Sequence, residues 1–269
     1  MVRPSWHCCY SSSVECGLGS TRAIDAAAAH WLAAAERVEL SRFRSPDRRR
    51  SWAAGRIAAK RTLLQLGIVP QVDPTEITIV SRDHRGTGVA PSLVVAGQTQ
   101  RRSLSISHTP RGVLVGVSMT ETVRIGVDLV LQSENGPGFR RLWFSEQEQD
   151  LMRVHGGRCM SAVLWAAKES AFKACGEGEA FAPRELEIER RNGGLWTCRT
   201  NGRDMTRVCR IHWWHVDGQI AALAVRNESA GVIRYDPHDI PRLAAQFTSA
   251  ANGQTTRQLA TARHRDSTT

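Results

Sequence analysis

Hydrophobic and polar positions alternate at two different spacings along the chain. Apolar side chains recur at helical intervals over residues 22–43 and again over 48–67, where Gly67 is placed to end the second helix. Five segments then alternate every second residue, as strands do: 76–81, 92–97, 103–109, 113–119 and 124–131. The first half is therefore predicted as helices followed by an antiparallel sheet.

The second half repeats this order. Residues 144–156 and 159–176 have helical spacing, and Ser145 with Glu148 three residues later forms a capping-box pattern. Four strand-like segments follow, and Asn192-Gly193-Gly194 and Asp217-Gly218 are typical hairpin turns. The repeated order predicts an α+β fold of two pseudo-symmetric lobes, each with helices packed on an antiparallel sheet.

The segment boundaries follow from the same pattern. We expect an irregular N-terminal arm at 1–22, an N-terminal lobe at 23–120, a C-terminal lobe at 121–240 and a polar, disordered tail at 241–269.

Composition limits the class of protein. The net charge of +10 suggests a polyanionic partner, although 33 arginines against three lysines can also reflect genome composition. Seven cysteines without a Cys-x-x-Cys pair disfavour a disulfide framework or a zinc site. No apolar run approaches the roughly 18 residues of a membrane span, and the start lacks the pattern of a signal peptide. We expect a cytoplasmic protein without membrane contacts.

Asp128 is the residue least suited to its predicted surroundings. It lies in the segment "RIGVDLVL", whose two faces are both largely apolar. Burying an unpaired carboxylate costs on the order of several kcal/mol. A bound cation would remove this cost, and a position at a turn or strand end would avoid it.

A second carboxylate has a related position. Glu169 lies four residues before Lys173 in the helix "LWAAKESAFKACGEG", whose many alanines leave little polar surface. The two side chains can form an i, i+4 ion pair. Alternatively, Glu169 and Asp128 together could hold Mg²⁺ through hard oxygen ligands. Both interpretations remain open from the residues alone.

The motifs "IGVDLV", "FSEQE" and "LWAAKES…K", in this order, resemble the signature of the 4'-phosphopantetheinyl transferases. The resemblance is to the larger, pseudo-dimeric type that acts on polyketide and peptide synthetases. "SISHTPRGVLVGV" and "RRRSWAAGRIAAKRTLLQLG" resemble the segments of that family that precede the acidic strand. The likeness extends from about residue 35 to 226.

The resemblance implies a reaction and a set of site residues. Phosphopantetheine would pass from coenzyme A to a serine of an apo carrier protein of a polyketide, peptide or fatty acid synthase, with release of adenosine 3',5'-bisphosphate. Asp128 and Glu169 would hold Mg²⁺, Glu169 would take the serine proton, and Lys173 would neutralise the diphosphate. The residues implied for coenzyme A are Arg50, Ser107, His108, Lys168 and Lys173.

Two further positions, Glu148 and Val130, bear on the expected site. Glu148 matches the acidic position of "F-S-x-x-E", where it is either catalytic or the partner of Ser145 in the helix cap. Val130 stands where larger members of the family often carry a third acidic metal ligand, so two carboxylates remain.

Two other functions compete with this interpretation. A non-catalytic coenzyme A-binding regulator would tolerate loss of Asp128 or Glu169, yet both are present. A nucleic-acid-binding module would interleave arginines with aromatic residues, which make up only 6% of the chain. We expect a monomeric transferase.

Overall fold

The structure is a computed structural model. It describes residues 6–12, 21–83, 85–132, 136–154, 159–175, 181–190, 196–201, 206–227 and 257–261. The described part of the chain contains these helices: α1 (Thr21–Trp31), α2 (Ala34–Ser41), α3 (Pro46–Gln65), α4 (Pro137–Trp143), α5 (Glu146–Val154) and α6 (Met160–Cys175). None of these helices is both long and apolar enough to cross a membrane.

The strands in the described residues are β1 (Trp6–Ser12), β2 (Ile77–Arg82), β3 (Gly88–Val95), β4 (Gln98–Gln100), β5 (Leu104–Thr109), β6 (Gly112–Ser118), β7 (Val123–Leu131), β8 (Leu186–Arg190), β9 (Trp196–Asn201), β10 (Thr206–Val216), β11 (Gln219–Asn227) and β12 (Arg257–Thr261). They form three sheets in the orders β12-β1-β6-β5, β7-β11-β10-β9-β8 and β2-β3-β4, and every pair is antiparallel. The mixed α+β class is as predicted.

Several elements agree with the sequence pattern. Helix α3 ends just before Gly67, whose φ of +61° is the left-handed conformation that glycine adopts readily. Asp217 and Gly218, with φ of +47° and +69°, connect β10 to β11 as predicted. The predicted turn at Asn192-Gly193-Gly194 lies outside the described residues.

Other elements differ from the prediction. The alanine-rich segment 22–43 forms two helices instead of one. Helix α1 ends at Trp31, Leu32 and Ala33 are not helical, and α2 begins at Ala34. The predicted irregular arm at 1–22 contains β1, in which Trp6, Cys8 and Tyr10 are buried against a core. Within the predicted tail at 241–269, the structure describes only β12, which pairs with β1, and the rest lies outside the described residues.

The helices pack on the sheets around three apolar cores. One core lies between α1–α3 and the strands β2, β3, β5 and β6, and a second lies between α6 and the sheet β7-β11-β10-β9-β8. A third core joins β1, β6, β7 and β11. Residues from the first and second halves of the chain therefore share the third core.

Two buried glutamate–lysine pairs hold the helices to the strands that follow them. Glu36 lies 2.5 Å from the Nζ of Lys60 and accepts the amide of Ile79. Glu148 lies 2.7 Å from the Nζ of Lys168 and accepts the amide of Ile188.

Further backbone contacts of these pairs also correspond, although Glu36 alone has an arginine, Arg56, at 3.8 Å among the described contacts. Each glutamate accepts the amide three residues before it, that of Ala33 or Ser145. Each ammonium also donates to two backbone carbonyls, those of Trp31 and Pro74 for Lys60 and those of Trp143 and Pro183 for Lys168. The same set of contacts thus occurs in both halves of the chain.

Candidate functional site

Asp128 lies within β7, paired with Ala222 of β11, and is 3% exposed. Its Oδ1 accepts a hydrogen bond of 2.6 Å from the Nζ of Lys173 and one of 2.8 Å from the Oγ of Ser107. Its Oδ2 is buried and has no hydrogen-bond partner among the described residues. The cost of burying this carboxylate is therefore only partly offset by the protein.

Gly126 brings helix α6 against this part of β7. A Cβ at this position would lie 2.0 Å from the carbonyl oxygen of Ser170 and 2.6 Å from the amide nitrogen of Ala174. Only glycine permits so close an approach of strand and helix. The close packing lets Lys173 reach β7, where its ammonium also donates 3.1 Å to the carbonyl of Val127.

Glu169 is a second carboxylate beside Lys173. We call Asp128, Glu169 and Lys173 the acidic cluster. Its Oε2 lies 3.7 Å from the Nζ of Lys173. Burial raises the pKa of Glu169, and the neighbouring carboxylate of Asp128 raises it further, while Lys173 and a hydrogen bond with Trp165 act in the opposite direction. Such a carboxylate accepts a proton more readily than an ordinary surface glutamate.

His108 follows Ser107 on β5 and is close enough to Lys173 for the lysine charge to affect its pKa. Burial lowers the pKa of His108, and the charges of Lys173, Arg56 and Arg48 lower it further. A hydrogen bond with its own backbone acts in the opposite direction. Helix α3 is close to it, because a Cβ on Gly55 would lie 3.8 Å from its Cδ2. Lys173, Arg56 and Arg48 therefore all place positive charge near His108.

The structure brings together Asp128, Glu169, Lys173, Ser107 and His108. The hydroxyl of Ser107 donates to Asp128 and accepts the amide of Leu129 at 3.1 Å. Both of these hydrogen bonds are made within the protein.

Glu148 and Lys168 form a separate group. Ser145 and Glu148 form the reciprocal capping box, with hydrogen bonds of 2.9 and 3.2 Å. Lys168 is 1% exposed, and its three donors reach Glu148 and two carbonyls. The sequence predicted that Lys168 contacts coenzyme A, but its side chain lies in the core. Consecutive residues of an α-helix project about 100° apart, so Lys168 points away from the side of Glu169.

Arg50 lies in the first turns of α3, where it forms an ion pair of 3.1 Å with Asp47. Sequence reasoning missed Arg56, which is 5% exposed, stacks 4.6 Å from the ring centre of Trp52 and influences His108. Its position seven residues before Leu63, on the buried side of α3, was the available signal.

The acidic cluster is small for a metal site. No group of three or more histidine, cysteine, aspartate or glutamate side chains capable of holding a metal occurs among the described residues. Two carboxylates are present, one with an unpartnered buried oxygen and the other with a raised pKa. This donor set fits a hard divalent cation that takes its other oxygen ligands from a substrate and water.

Comparisons with known proteins match part of the chain. The family model of the 4'-phosphopantetheinyl transferase superfamily matches residues 124–224, which run from β7 to β11 and include Asp128, Glu169 and Lys173. Among solved structures, the holo-[acyl-carrier-protein] synthase of Thermotoga maritima is 23% identical, covers 44% of this chain and 73% of its own, and has a TM-score of 0.30. No curated protein matches the chain.

Proposed function

We propose that this chain transfers 4'-phosphopantetheine from coenzyme A to a serine hydroxyl of an apo carrier protein. The observation that carries the proposal is the cluster of Asp128, Glu169 and Lys173, which lies inside the segment matched by the transferase family. The two corresponding glutamate–lysine pairs support a chain built of two similar lobes, as in the larger, pseudo-dimeric transferases.

The reaction forms one bond and breaks one. The serine oxygen of the carrier attacks the phosphorus that bears the pantetheine arm, and its proton passes to Glu169. The bond from that phosphorus to the bridging oxygen breaks, and adenosine 3',5'-bisphosphate leaves with the bridging oxygen. Charged side chains that are in position before the reaction begins would stabilise the transition state of both proton transfer and bisphosphate departure.

Each remaining side chain has a binding or neutralising role. Lys173, whose ammonium contacts Asp128, would neutralise the negative charge that grows on the leaving oxygen. Arg48, whose charge acts on His108, would contact the phosphates of coenzyme A, and His108, whose lowered pKa keeps it neutral, would donate a hydrogen bond to them. Arg56 is buried and adds positive charge nearby. Asp128 and Glu169 would hold Mg²⁺, which when bound supplies positive charge to the diphosphate. We assign Glu148 and Lys168 to the scaffold.

The proposal is tested with Glu169→Gln and a matched control, Glu146→Gln. Glu146 is an exposed glutamate on α5. Each protein is incubated with coenzyme A, Mg²⁺ and a panel of apo acyl and peptidyl carrier proteins, and the carriers are analysed by mass spectrometry. We expect the unmodified protein and Glu146→Gln to add phosphopantetheine and Glu169→Gln to lose this activity. Equal activity of all three would contradict the site, and binding of coenzyme A without transfer to any carrier would favour a regulatory protein.

A further inference from the structure

Ser103, directly before β5, and Ser105 and Ser107 on β5 contact β7 at every second residue. The Oγ atoms of Ser103, Ser105 and Ser107 accept the backbone amides of Ile125, Val127 and Leu129 at 3.0, 3.0 and 3.1 Å, respectively. The separation is 22 residues in each case, so the two strands run in the same direction. We call these three serines the serine seam.

The serine seam joins the edges of two different sheets. β5 is the outer strand of β12-β1-β6-β5, and β7 is the outer strand of β7-β11-β10-β9-β8. The amides of β7 that face away from β11 would otherwise need backbone partners, because a buried unpaired amide is destabilising. The serine hydroxyls supply those partners in place of a regular strand ladder.

The seam holds the peptide units on both sides of Asp128. Ser105, which is 2% exposed, binds the amide of Val127, and the carbonyl of Val127 binds Lys173. Ser107 binds the amide of Leu129 and also donates to Asp128. A slip of one repeat would displace β5 by about 7 Å along β7 and would move His108 away from Lys173.

We propose that the serine seam is a positioning device for the transfer site, and that Ser105 is a positioning residue acting through Val127 and Lys173. This inference rests on the proposed function. Ser105 has no described contact with the acidic side chains, so its effect must pass through the backbone of β7. The seam sets the register that places Asp128 and Lys173 opposite His108.

Ser105→Ala tests this role, with Ser161→Ala as the matched control. Ser161 is also a buried serine, at 3% exposure, but its hydroxyl has no hydrogen-bond partner among the described residues. Ser105→Cys is a second variant of similar volume, in which a weak sulfur acceptor replaces the hydroxyl. Ser105→Thr retains a hydroxyl and tests rescue.

Two measurements are made on each folded variant. Hydrogen exchange of the Val127 amide reports the seam directly and needs no enzyme activity. Steady-state transfer to a carrier reports kcat and the KM for coenzyme A separately. In Ser105→Ala and Ser105→Cys we expect at least tenfold faster exchange at Val127, a five- to tenfold lower kcat and a KM changed less than twofold. Ser161→Ala should match the unmodified protein, and Ser105→Thr should recover both values.

The outcomes separate the seam from the proposed function. Unchanged exchange at Val127 in Ser105→Ala would overturn the seam. Faster exchange with unchanged kcat, or equal losses in Ser161→Ala, would overturn the positioning role. Failure of the unmodified protein to modify any carrier would instead overturn the transferase, while the exchange measurement would still decide whether the seam holds β7.

Discussion

Replacement of Glu148 by glutamine should destabilise the protein far more than it impairs the chemistry of the folded protein. Glu148 is fully buried and accepts the amides of Ser145 and Ile188 and the ammonium of Lys168. Glutamine has nearly the same shape but lacks the charge, and its NH₂ group would face donors. Lys168 would keep its charge in the core with two carbonyls as partners.

The magnitude follows from these contacts. Removal of one partner from a buried ion pair costs about 3–5 kcal/mol, because the other charge remains buried without compensation. A domain of this size shifts its melting temperature by roughly 2–4 °C per kcal/mol, so Glu148→Gln should melt roughly 6–20 °C lower. The corresponding change at Glu36, which has the same set of contacts with Lys60, should have a similar effect.

Urea unfolding followed by circular dichroism measures this loss, and Glu146→Gln provides the control. Glu146 lies on the same helix but is exposed, so its replacement should change stability by less than about 0.5 kcal/mol. In Glu148→Gln, the fraction that remains folded should still transfer phosphopantetheine. Unchanged stability together with lost transfer would refute the reasoning and would make Glu148 a member of the catalytic site.

Three further predictions concern the site and the pH dependence of the fold. Lys173→Ala should lower kcat by about 10²–10³-fold with a smaller loss of coenzyme A binding, because charge grows on the leaving group; an equal loss in a binding titration would make Lys173 a ground-state contact. Val130→Glu should strengthen Mg²⁺ binding to the free protein, which calorimetry measures; unchanged affinity would show that position 130 does not reach the ion. Burial lowers the pKa of His212 to about 4, and the charge of Arg210 contributes. The unfolded chain therefore takes up a proton near pH 6.5 that the folded protein refuses, so the free energy of unfolding should fall as pH drops from 6.5 towards 4. His212→Gln should flatten that fall, and an unchanged slope would assign it to other groups.

The sequence was sufficient to locate the acidic cluster. Asp128 was conspicuous because a carboxylate interrupts an apolar strand, and Glu169 and Lys173 were placed together by helix periodicity. The capping box of Ser145 and Glu148 was also recognised from spacing and is confirmed. These features depend on residues close together in sequence or on a strong local conflict.

Other features depend on contacts that local patterns do not encode. The alternating serines of "SLSIS" resemble the solvent face of a strand, and only the arrangement of two sheets turns them towards β7. Lys60 was not singled out from the sequence and Lys168 was expected to contact coenzyme A, whereas each lysine is buried against a glutamate from an earlier helix. Helix α4, which begins at Pro137, was missed because its seven residues are too few for a periodic pattern.

The most direct measurement is the stoichiometry of a single reaction. The protein, coenzyme A, Mg²⁺ and an apo carrier are mixed, and the holo carrier and adenosine 3',5'-bisphosphate are quantified together over time. We expect equal molar amounts of the two products, with the new group on the carrier serine, and no formation of either with Glu169→Gln. Release of the bisphosphate without modified carrier, or no product with a carrier that a known transferase modifies under the same conditions, would contradict the assignment.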